Sequence, residues 1–150
     1  MMLKPWVIGV LSTEYDLHDY RQAVTLELKK YSNTLISAFE LSDFPVEPDE
    51  HSHENCLIAL DRTDITLLII DKRYGGIFYN SSDVSITEEE YLSAIEQGKP
   101  CLVFVSDSAW NERFSYRKNL KKSEKSNEEF DSTYVCTYVE KVSTIHFIDS

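Results

Sequence analysis

Between Ser85 and Val105 an acidic helical stretch stops at a glycine and runs straight into an apolar strand. It reads Ser85-Ile-Thr-Glu-Glu-Glu-Tyr91, then Ala94-Ile-Glu-Gln-Gly-Lys-Pro100, then Cys101-Leu-Val-Phe-Val105. Gly98 offers the left-handed conformation that ends helices, and Pro100 cannot continue one. A helix that feeds directly into a buried strand is half of a βαβ unit. The rest of the chain repeats that alternation, which confines it to few architectures.

Trp6-Val-Ile-Gly-Val-Leu11 is a short apolar run of buried-strand type. Thr13 and Asp16 have the spacing of a capping arrangement. Leu17, Tyr20, Val24, Leu28 and Tyr31 then recur at helical spacing and predict one apolar face. Thr34 to Leu41 is a second strand candidate, and Phe44 to Glu50 is a proline-punctuated acidic loop. A helix is expected from about Ser52 to Arg62. Ile65-Thr-Leu-Leu-Ile-Ile70 is nearly continuous in aliphatic residues, as parallel strands are. The order βαβαβαβ predicts an α/β fold: a parallel sheet of four to five strands between two helical layers. Beyond Ser106 the pattern thins. Trp110 to Lys125 is a helix candidate, and Tyr134–Val139 and Thr144–Ile148 alternate like strands. The expectation is one domain over 1–150, with its core at about 4–107 and a tail from 108. No terminal signal marks Ser150, as in the N-terminal piece of a longer protein.

Composition narrows the partners. A hydrophobic content of 42% argues for a folded globule, since such a chain can bury enough apolar surface to order itself. A formal net charge of -11 repels phosphate backbones, so nucleic acid is not an expected partner. One stretch runs the other way: Arg117, Lys118, Lys121, Lys122 and Lys125 stand against Glu124. It reads as a solvated helix face. Cys56, Cys101 and Cys136 are odd in number and widely spaced, with Cys56 and Cys101 read as small core residues. With no leader peptide and no run long enough to span a bilayer, the expected setting is the cytoplasm, without a membrane.

No Gly-x-Gly-x-x-Gly follows the first strand, and there is no Walker lysine loop, which disfavours dinucleotide dehydrogenases and P-loop ATPases. Four features remain. Ser12 and Thr13 stand at the end of the first strand, where hydroxyls and free N–H groups suit a phosphate or ribose. Arg73-Tyr74-Gly75-Gly76 follows the central strand, at the ligand edge of such sheets. Ser85 and Glu88 have capping-box spacing, which gives Glu88 a structural role. Glu90 lies two residues on and points to another side of the helix. His51 and His53, near Glu50 and Glu54, lack a third ligand at motif spacing and read as a solvated loop rather than a metal site.

These residues also form an ordered set of short motifs. They are Ser12-Thr13, Asp16-Leu17, Arg21-Gln-Ala-Val24, Cys56-Leu57, Asp64-Ile65, Arg73-Tyr74-Gly75, Ser85 to Tyr91 and Gly98 to Pro100. Over about residues 4–107 the set resembles an uncharacterised N-terminal domain found ahead of NACHT and other STAND-type ATPases. That domain is in turn similar to TIR domains and nucleoside 2-deoxyribosyltransferases, which implies a flavodoxin-like fold. The resemblance implies a catalytic glutamate at Glu90. It implies a nucleotide ligand held by Ser12, Thr13, Asp16, Arg73, Tyr74, Gly75 and Glu88. The implied reaction is cleavage at an N-glycosidic bond, with NAD as substrate rather than cofactor and no metal, in a bacterial defence effector. The Asp-x-Gly-Thr stretch of the transferases is replaced by Asp83-Val-Ser-Ile-Thr87, which favours a hydrolase over a transferase. The competing expectations are a non-catalytic self-association module and a nucleotide sensor, each working with an attached or partner ATPase.

Overall fold

Aliphatic runs and capped helices fall where their chemistry places them. The computed structural model describes residues 4–13, 16–31, 33–37, 48, 51–81 and 83–112. Its elements are β1 (Trp6–Leu11), α1 (His18–Leu28), β2 (Thr34–Ser37), α2 (Ser52–Asp61), β3 (Ile65–Ile70), α3 (Ile86–Glu96) and β4 (Cys101–Val105). The strands form one parallel sheet in the order β2-β1-β3-β4. This is the α/β, flavodoxin-like arrangement that the alternation predicts. β1 and β3 are in register through Ile8↔Ile65 and Val10↔Leu67. Connections leave these two strands in opposite directions, so their carboxyl ends form the switch point where such sheets bind ligands.

By chain contacts the molecule divides into two compact units, one of residues 1–68 and 75–102, the other of 69–74 and 103 onward. In the first, Ile8, Val10, Leu11, Leu60, Leu68 and Tyr91 are buried in the core, and α2 packs on α3. In the second, Ile70, Tyr74 and Ala109 are buried. There Ser106 N donates to Ile70 O, and Ser106 Oγ donates to Asp71 Oδ1 at 2.5 Å. Ser106 Oγ also accepts from Ala109 N and so caps the helical turns at 107–112.

The stop signal at Gly98 works as its sequence says. Gly98 has φ +68°, Gly98 N donates to Ile95 O, and Lys99 N donates to Ala94 O. This is a Schellman closure of α3. Lys99 then does something its sequence does not reveal. Its Nζ donates to Leu60 O at 2.7 Å, Asp61 O at 3.1 Å and Thr63 O at 2.7 Å, covering carbonyls at the end of α2. Pro100 O accepts from Thr66 N, which sets β4 beside β3. Gly-Lys-Pro is thus a joint linking α3, α2 and the sheet.

Three expectations change. The buried line of α1 is Leu17, Arg21 and Thr25, whereas Tyr20 and Tyr31 are more than 60% exposed. Arg21 can face inward because its Nη1 donates to Val10 O of β1 and to Ser12 O and Oγ just after it, which outweighs apolar spacing alone. The N-cap of α1 is Leu17, with no side-chain cap, while Thr13 and Asp16 bond to one another within the preceding loop. Cys56 and Cys101 are half-buried rather than core residues. Residues 38–41, the acidic loop except Pro48, and all candidates beyond 112, including the basic stretch, lie outside the described residues.

Replacing Lys99 with methionine keeps the aliphatic stem but leaves three carbonyls without this donor. The expected loss is about 2 kcal/mol of stability, read as a lower denaturation midpoint with an unchanged m-value.

Candidate functional site

Ser12 and Thr13 leave the carboxyl end of β1. Ser12 Oγ donates to Thr13 O at 2.9 Å and accepts from Arg21 Nη1 at 2.9 Å. The same nitrogen donates to Val10 O at 3.3 Å and Ser12 O at 3.4 Å. Arg21 is only 2% exposed, so a full positive charge is buried against the end of β1. Thr13 Oγ1 donates to Asp16 Oδ1 at 2.5 Å. Asp16 Oδ2 is buried and has no hydrogen-bond partner among the described residues.

Gly75 closes on this loop. It has φ +86°, and a Cβ there would lie 2.7 Å from Thr13 Cγ2. Only glycine meets both demands. Gly76 O then accepts from Ile86 N, Ile77 bridges Ser85 in antiparallel fashion, and Phe78 N donates to Val84 O. These bonds fix where α3 begins. Ser85 is its N-cap, its Oγ accepting from Glu88 N at 3.1 Å, as the capping-box spacing predicts. Glu88 is 2% exposed.

Glu90 is in a different position. It retains some contact with solvent, yet protein surrounds it closely enough that burial pushes its carboxyl up to about 8. The Arg21 guanidinium pulls the other way and does not cancel that effect. Cys56 on α2 shares these surroundings. Burial, then the Glu90 charge, pushes its thiol up to about 12 against the pull of Arg21. At neutral pH Cys56 is a thiol and a poor nucleophile. Ser12, Thr13, Asp16 and Gly75 are thus joined at one loop, with Glu90 electrostatically linked through Arg21. Arg73 and Tyr74 belong to the second unit, where Arg73 is exposed and Tyr74 is buried.

The two histidines lie at the start of α2 rather than in a loop, with His51 solvent-exposed as expected. His51 is the N-cap of α2, its Nδ1 accepting from His53 N at 3.1 Å. His53 Nδ1 accepts from Tyr79 N at 2.9 Å, and the His51 ring stacks on Tyr79 at 4.1 Å. The Tyr79 hydroxyl donates to Glu54 Oε1. This cluster pins the segment before α3 onto α2. Among the described residues, no group of three or more histidine, cysteine or carboxylate side chains is placed to hold a metal.

Sequence reading missed Arg21 and Cys56 as members of the Glu90 environment. The available signal was an arginine four residues after the buried Leu17 and four before the buried Thr25, on one line of a helix.

A four-stranded parallel α/β sheet with its helices defines the class. Within it, the chain belongs to the family described as Domain of unknown function (DUF4062), which it matches over residues 10–147. That match runs well past residue 108. No curated protein and no solved structure matches the chain.

The raised carboxyl has a consequence for stability. Its folded value lies near 8 against an ordinary 4.5, so the folded state holds this proton more tightly than the unfolded chain. The contribution is full below about 4.5 and is lost as pH rises to about 8. Glu90→Gln, which has no proton to lose, is expected to fold and to gain stability relative to the parent between pH 5 and pH 8. A gain of about 1 kcal/mol or more is expected after allowing for solvent contact, measured by denaturant titration at both pH values.

Proposed function

We propose that this domain is a nucleotide N-glycosidase, with NAD the first substrate to test, acting as the effector part of a STAND- or TIR-like defence protein. The observation that carries the reading is Glu90, a partly exposed carboxyl on α3 that burial pushes up to about 8 against the opposing pull of the buried Arg21. The motif resemblance supports the same residue. As the C1′–N bond breaks, its electron pair leaves with the base and C1′ gains oxocarbenium character. An ionised Glu90 stabilises that charge, and water completes hydrolysis. Asp16 Oδ2, an acceptor with no donor among the described residues, suits a sugar hydroxyl. Ser12 and Thr13 shape the adjoining loop, and Gly75 lets it close.

The charge state of Glu90 separates substrate classes. Nicotinamide leaves NAD as a neutral molecule and needs no proton, so NAD cleavage uses the carboxylate. The rate is then expected to rise with pH and level off above about 8. A purine or pyrimidine base benefits from a proton as it leaves, and its release would fall through the same range. The experiment is chromatography of NAD incubated with the protein from pH 6 to pH 9, beside Glu90→Gln. Nicotinamide release by the parent, reduced at least a hundredfold in the variant, is the expected outcome. Equal turnover by the glutamine variant removes Glu90 from the mechanism.

A second reading is a self-association module for a partner ATPase. It is favoured by exposed apolar side chains on and just after α1: Tyr20 and Leu26 within the helix and Tyr31 beyond its end are each at least 60% exposed. Concentration-dependent growth in light scattering, with no nucleotide cleaved at any concentration, would select it. Among the described residues no helix is long and apolar enough to cross a membrane.

A further inference from the structure

Two histidines hold the turn before α3 against α2, and each does so with a lone pair. His51 Nδ1 accepts from His53 N at 3.1 Å, and His53 Nδ1 accepts from Tyr79 N at 2.9 Å. The His51 ring stacks on Tyr79 at 4.1 Å, and the two histidine rings meet edge to face at 4.5 Å. The Phe78 ring, only 6% exposed, lies 5.6 Å from His53. Within the turn, Phe78 N donates to Val84 O and Ser81 N to Phe78 O, bonds that do not reach α2.

A neutral imidazole has one acceptor nitrogen, and an imidazolium has none. Protonating His53 therefore sets a ring N–H against the Tyr79 N–H, whichever way the ring is turned. Its neighbours on α2 are His51 and Glu54, and from the turn Phe78 and Tyr79, whose hydroxyl donates to Glu54 Oε1 at 2.9 Å. Two charged rings would also repel one another at the N-terminus of α2, where the helix dipole disfavours cations. Burial, then His51, holds the proton affinity of His53 below its ordinary 6.5, and the Glu54 carboxylate opposes them.

We propose that His53, capped by its contact with His51, is a pH-sensitive latch: neutral, it holds the 78–81 turn on α2, and protonated, it releases the turn together with the Phe78 ring. A released ring takes up a proton more readily than a docked one. The latch is therefore at full strength above about 6.5 and weakens as pH falls below that value. It acts on the connection between Gly75 and the start of α3, and it stands independently of the N-glycosidase reading.

The test is amide hydrogen exchange by NMR between pH 7.5 and pH 5, read as protection factors corrected for intrinsic exchange. The Leu68 amide in β3 reports global opening. In the parent, Tyr79 protection is expected to fall at least about tenfold while Leu68 keeps its own. His53→Asn places a carbonyl oxygen near the position of Nδ1 and does not titrate in this range, so its Tyr79 protection is expected to stay level. Level Tyr79 protection in the parent overturns the inference. So does an equal loss in His53→Asn, whether at Tyr79 alone or together with Leu68. If the asparagine variant does not fold, the His53 ring titration in the parent decides. Loss of Tyr79 protection with the same midpoint as that titration supports the latch, and a different midpoint overturns it.

Discussion

Among the described residues, the one buried basic side chain organises the carboxyl end of β1. Arg21 turns inward from α1 and bonds the last residues of β1. In water a guanidinium has ample solvation; here the carbonyls of Val10 and Ser12 and the Ser12 hydroxyl take part of that place. That exchange brings α1 close to the end of β1 and orients Ser12. It also places a fixed charge within reach of α2 and α3. Desolvation still wins at Glu90, where its effect is larger than the pull of Arg21. The result is a carboxyl that changes charge near physiological pH, which is what acid–base and ion-stabilising chemistry needs.

The far end of the sheet depends on a different cation. Lys99 satisfies carbonyls at the end of α2, while the backbone beside it closes α3 and leads into β4. A lysine in a Gly-Lys-Pro context invites a ligand-binding interpretation. Its three carbonyl partners give it a structural one instead. The two cations divide the labour: Lys99 sets how helices and strands join, and Arg21 sets the electrostatics where the strands end.

Much of this was legible from local chemistry. Gly98 and Pro100 mark a helix end that needs only backbone sterics to explain. Ile65 to Ile70 reads as a buried parallel strand because no polar residue but Thr66 interrupts it. Ser85 and Glu88 announce a cap through spacing alone, and the cap is present. The apolar line through Tyr20 and Tyr31 was a sound periodicity, but the helix turned so that Arg21 faced inward. His51 and His53 read as loop residues because their partner, Tyr79, is far away in sequence. Thr13 and Asp16 had capping spacing but used it to bond each other.

The sequence by itself determined the alternation of strands and helices, the helix boundaries at Ser85 and Gly98, and family membership. Those follow from properties of neighbouring residues: torsional preference, apolar period and capping chemistry. Only the tertiary structure decided that Arg21, Cys56 and Glu90 share one electrostatic environment and that Lys99 serves another helix. Long-range desolvation and charge coupling depend on which elements pack together, and spacing along the chain does not encode them.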